Sequence, residues 1–143
     1  MAYVKFSEGR KFIGRVPFQA DLLDYLTGFA NDHGIRAGQV MALGAVSEAV
    51  VGYYDQHKRT YFNIPYHRHL EILNLTGNIS LKDGKSFVHA HVTLSDEDGH
   101  AFGGHLMPGT TVFACEFIIH EYLTEQDLNR EFDQDTGLGL WKL

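Results

Sequence analysis

Apolar positions along the chain follow two rhythms, and the helical one occurs convincingly only once. Between Pro17 and His33, Phe18, Leu22, Tyr25, Leu26, Phe29 and Ala30 recur at steps of three and four, which places them on one stripe of a helix. Pro17 suits a first helical turn, and Asp21 and Asp24 lie near the positive end of the dipole. His33 lies near the negative end, and Gly34 can take the left-handed conformation that closes a helix. Most of the remainder reads as strand: 3–16 as one strand or a pair, then 39–54, 60–64, 70–81, 86–94 and about 110–123. Asp83-Gly84, between the runs 70–81 and 86–94, is a strong hairpin signal, and Asp96-Glu97-Asp98-Gly99 marks another turn. The segment 126–143 shows no clear period, with Leu138, Leu140 and Trp141 as its candidates for docking.

One helix and six or seven strands joined late in the chain by hairpin-length links predict an α+β fold. Its mainly antiparallel sheet would carry the one main helix on one face. A length of 143 residues, without a linker or repeat, fits a single domain over 1–143. The formal charge of -6, with nine His counted neutral, repels phosphate backbones, so DNA contacts would have to come from a local patch such as Lys58-Arg59 or Arg10-Lys11-Arg15. No apolar run reaches the length of a signal or a membrane span, so the expectation is a soluble, cytoplasmic protein with no membrane partner. Cys115 is the one cysteine, which excludes an internal disulfide and suits a buried structural thiol.

The candidate chemistry sits on the strand 86–94. Val88, Ala90, Val92 and Leu94 alternate with His89, His91 and Thr93, so the apolar set faces one side and the imidazoles the other. His89 and His91 are then about 6.5–7 Å apart at the backbone, which allows two ring nitrogens to converge on one cation. His105 follows in Phe102-Gly103-Gly104-His105-Leu106, where the paired glycines permit close backbone approach. Three imidazoles on a rigid sheet leave a coordination position open and suit zinc, iron, nickel or copper. The plainer alternative is a set of exposed or hydrogen-bonded rings. His33, His57, His67, His69, His100 and His120 occupy helix ends, loops or unremarkable strand positions, where surface or packing roles are the default.

Glu71 is the second candidate. It shares strand parity with Leu73, Leu75 and Ile79, so its carboxylate is expected to be buried. There it could orient a ligand His, serve as a general base, or pair with Arg68 or a neighbouring subunit. The plain alternative is a solvated Glu or a structural ion pair. The sequence has no phosphate loop, nucleophile elbow or Cys-x-x-Cys pair.

Gly44-Ala45-Val46-Ser47, the run from Leu70 to Ile79, His89-Ala90-His91-Val92 and Gly103-Gly104-His105-Leu106 occur in the order found in the PPC domain, the domain shared by plants and prokaryotes. The chain resembles that family over nearly its whole length, and His-x-His followed by Gly-Gly-His-Leu is the most specific part. The resemblance implies a homotrimer of α+β subunits with a divalent metal, zinc being the first choice, at the positions of His89, His91 and His105. It also brings a DNA-binding, regulatory label, derived from plant members in which an Arg-Gly-Arg-Pro element precedes the domain; that element is absent from this sequence. The plant partner-binding stretch Arg-Phe-Glu-Ile-Leu corresponds here to His69-Leu70-Glu71-Ile72-Leu73, which keeps the Glu and replaces the Arg and Phe. The alternative function is a metal-dependent enzyme of hydrolase, hydratase or isomerase type acting on a small molecule, with Glu71 moving a proton. A cupin-like barrel also uses His-x-His and a later His, but the early helix and the lack of a Glu after the His pair set it aside.

Overall fold

The computed structural model describes residues 3–143. Its elements run β1 (Phe6–Val16), α1 (Leu22–Asp32), β2 (Gly38–Asp55), β3 (Thr60–Tyr66), β4 (Leu70–Lys82), β5 (Lys85–Ser95), β6 (Ala101–Leu106), β7 (Thr111–Thr124), β8 (Arg130–Phe132) and β9 (Gly139–Trp141). Strands β1 to β7 form one antiparallel sheet in the order β1-β7-β2-β4-β5-β6, with β3 on the far half of β2. Val51 and Gly52 of β2 also pair with Leu106 and His105 of β6, so the path from β2 through β4 and β5 to β6 returns to its start. This is the sheet-rich α+β arrangement the sequence implies. No helix among the described residues is long and apolar enough to cross a membrane.

The core lies between α1 and the curled sheet. Leu22, Leu26 and Ala30 pack with Val40, Leu75, Ile79, Val92, Leu94 and Ile119 in one buried cluster. The helix starts later than its apolar spacing suggests. Asp21 is the N-cap, its side chain accepting a hydrogen bond from the Asp24 amide at 2.9 Å. Pro17 instead opens a turn whose carbonyl accepts from Ala20, with Gln19 at φ 63°. Phe18 is therefore 65% exposed and outside the helical stripe. A local cap satisfies otherwise orphaned amides, and it outcompetes one more apolar position. The hairpin between β4 and β5 turns on Asp83 (φ 53°) and Gly84 (φ 76°), the left-handed pair of a type I′ turn.

β1 is fastened to β7 by an ion pair. Glu121, with 9% of its side chain exposed, accepts from Arg10 Nε and Nη2 at 2.7 Å each and from the Arg10 amide at 3.0 Å. These hydrogen bonds hold its carboxyl below the ordinary value of 4.5. The pair's contribution is complete above that value and is lost as pH falls through the lower folded value. Glu121→Gln is expected to lower the urea midpoint at pH 7, with the gap to wild type narrowing below pH 4.5. A gap that widened on acidification would contradict this assignment.

Candidate metal centre

The alternation of β5 sends Val88, Ala90 and Val92 into the core and His89 and His91 to the opposite face of the sheet. In register, His91 lies opposite His105 of β6 and Thr76 of β4, while His89 lies opposite Asn78. The close approach depends on Gly103. A Cβ there would stand 2.0 Å from the Val92 carbonyl oxygen, so no larger residue fits between β6 and β5.

The three rings face one another, with centroids 5.4 Å apart for His89–His91, 4.8 Å for His89–His105 and 5.4 Å for His91–His105. One nitrogen from each falls within 4.8 Å of the others. His105 Nδ1 is buried and has no hydrogen-bond partner, which costs free energy unless something there accepts its lone pair or takes its proton. Burial, followed by the neighbouring positive charges, lowers His89 and His105 to about 4. Both rings are therefore neutral at pH 7, the form in which imidazole donates to a metal. Orphaned nitrogen, mutual distance and protonation all fit a divalent cation.

Two further groups at this place are not indicated by the sequence pattern. Arg130, from β8, reaches over the site: Nε donates to Ser80 Oγ, Nη2 to Asn78 Oδ1 and Nη1 to the Gly139 carbonyl, each at 2.8 Å. Nη2 also lies 3.3 Å from His89 Nδ1. The Tyr61 ring centroid is 5.0 Å from that of His105, and burial raises its phenol above the ordinary value. Together with Phe87, Leu138 and Leu140 they line a cleft of about 400 Å³ that opens beside His89 and His105. The segment after β7 docks through Arg130 and the buried Leu128, whose carbonyl accepts from Leu81. Leu140 and Trp141 stay 41% and 40% exposed.

Glu71 is exposed rather than buried. The β4–β5 register shifts between Ile72 and Asn74, and the bulge resets the parity, so Glu71 and Leu73 face outward while Leu75 and Ile79 face the core. Glu71 pairs with Ser95, five positions along β4 from the Thr76 level of the triad, about 16 Å at the strand rise. A larger, mostly apolar cleft of about 600 Å³, lined by Ile13, Met41, Leu43 and Ile118 among others, lies away from the imidazoles on the outer sheet face.

A helix-backed antiparallel sheet of this kind recurs in known proteins. The chain belongs to the family defined by the Plants and Prokaryotes Conserved (PCC) domain, which matches residues 3–123. It is similar to a protein of Archaeoglobus fulgidus described as metal-containing, at 40% identity over 100% of both chains with a TM-score of 0.94. It is also similar to a plant- and prokaryote-conserved protein of Pyrococcus horikoshii, at 37% identity over 100% of this chain and 98% of that one, TM-score 0.93. Among curated proteins it is 33% identical over 118 residues to the bifunctional protein GlmU of a Synechococcus strain, a match covering 82% of this chain and 18% of that protein. The chain thus spans less than a fifth of the length of the curated relatives it matches.

Proposed function

We propose that this chain holds one divalent ion, zinc, on His89, His91 and His105 and presents it to the adjoining cleft, where a small molecule binds. The observation that carries this reading is the buried, unpartnered Nδ1 of His105 beside two further imidazoles. A donor set of three imidazoles suits a borderline metal. The similarity to a metal-containing relative supports the same conclusion. A bound ion of this kind supplies Lewis-acid chemistry. The chain's own residues do the rest: Arg130 and Asn78 fix the wall beside His89, and Tyr61 and Phe87 keep that wall apolar and restrict water. Within one chain Glu71 is too distant to exchange a proton with anything held there, so a proton-transfer role would require its delivery by a neighbouring copy.

Assembly as a homotrimer belongs to the same reading. Ile13, Leu43 and Ile118 are 84%, 59% and 37% exposed on the outer sheet face, an apolar surface of the kind that subunit contacts bury. Duplex DNA is the alternative partner carried by the family label. Of the basic residues that would serve it, Arg10 and Lys11 are already paired with Glu121 and Glu8, which favours the small-molecule reading.

Protein purified without a His-tag is expected to contain about one zinc per chain by elemental analysis, given three ligands and one open position. The double variant His89→Ala, His91→Ala should lose the metal while light scattering still gives a trimer mass. Metal content unchanged in that variant would remove the basis of the proposal.

A further inference from the structure

Arg130 is a half-buried cation without a counter-ion. Its hydrogen-bond acceptors are the Ser80 hydroxyl, the Asn78 amide oxygen and the Gly139 carbonyl, all uncharged, and a ring nitrogen of His89 lies 3.3 Å from Nη2. Among the described residues no carboxylate lies within ion-pair distance of it. Other ionic groups at the cleft do not make up the deficit. Glu131 is paired with Lys142 at 2.8 Å, and Asp83 sits beside Lys82 in the hairpin turn.

A divalent ion on the three imidazoles would add two positive charges to this unbalanced one, in a partly enclosed place where charge is poorly screened. Such a site favours a negatively charged occupant. The remaining surface narrows the choice. Phe87 and Tyr61 form flat apolar walls, Leu138 and Leu140 extend them, and the volume of about 400 Å³ suits a small organic molecule. One Nη1 hydrogen of Arg130 has no acceptor, which leaves a donor for an incoming oxygen.

Resting on the metal reading above, we propose that this cleft binds a small organic carboxylate with an apolar or aromatic body, drawn by the joint charge of the ion and Arg130 and seated along Phe87 and Tyr61. The ligand class follows from the juxtaposition of an unpaired guanidinium, a three-imidazole cation site and aromatic walls in one cleft.

The test loads the full-length protein with cobalt(II) in place of zinc and follows its visible spectrum during titration with benzoate, its uncharged analogue benzamide, and inorganic phosphate. Benzoate is expected to change the spectrum saturably and to bind about ten-fold or more tightly than either competitor. Arg130→Gln should weaken benzoate by about ten-fold with cobalt uptake unchanged. Emission from Trp141, the single tryptophan, whose ring lies 5.9 Å from the Arg130 guanidinium, reports whether the last hairpin stays docked in the variant. If it undocks, the benzoate-against-benzamide comparison on the unmodified protein decides. Normal cobalt uptake with no response to benzoate, or with benzamide or phosphate bound as well, would overturn the ligand class and leave the metal site standing. Failure to take up cobalt would overturn both readings, so the two failures are distinguishable.

Discussion

Zinc added to the metal-free protein is expected to raise its melting temperature by about 12 °C. An ion that binds only the folded state at about a thousand times its dissociation constant stabilises by about 4 kcal/mol. For a domain of this size each kcal/mol is worth about 3 °C. The expectation is large because the ligands come from two strands: His89 and His91 on β5 and His105 on β6, with His91 and His105 directly opposite in register. An ion there ties β6, which meets β2 at only Val51 and Gly52, to the body of the sheet. It also ends the isolation of the buried Nδ1 of His105. His105→Ala should abolish the zinc-dependent rise. A wild-type shift below about 2 °C in excess zinc would mean that the three rings do not act together on a cation.

Gly103→Ala is expected to cost about 3 kcal/mol or more and to abolish the zinc-dependent rise as well. The added methyl would lie 2.0 Å from the Val92 carbonyl oxygen and 3.1 Å from the Thr93 Cα, both backbone atoms that cannot rotate away. β6 must then draw back from β5 and carry His105 with it. Gly28→Ala is the matching control. Gly28 lies in α1 with nothing within 4 Å of the new Cβ, so the substitution should stabilise by about 1 kcal/mol through helix propensity. Thermal melts of both variants with and without zinc measure the contrast, and equal effects of the two substitutions would show that β6 is free to adjust.

Much of this arrangement was legible because the relevant signals are local and periodic. The alternation from Val88 to Leu94 identifies a buried face and an imidazole face at once, and the left-handed Asp83-Gly84 turn pairs the strand with β4. The Gly103-Gly104 pair marks the close approach that brings His105 in. Where the reading departs from the structure, the cause is a local irregularity or a contact distant in sequence. A bulge between Ile72 and Asn74 inverts the parity that strict alternation gives Glu71 and Leu75, and a periodicity argument does not register one extra residue. The Asp21 cap excludes Phe18 from a helix whose apolar spacing includes it. Arg130 lies in a segment without period, and what gives it meaning, Asn78, Ser80 and His89, is 41–52 residues away.

The most direct measurement of the central claim is X-ray absorption at the zinc edge on protein purified without a tag or chelating resin. Coordination by His89, His91 and His105 predicts three imidazole nitrogens at about 2.0–2.1 Å, with the multiple-scattering signature of histidine and a further light-atom ligand. A spectrum showing fewer than three imidazoles, or sulfur at about 2.3 Å from the lone Cys115, would contradict it.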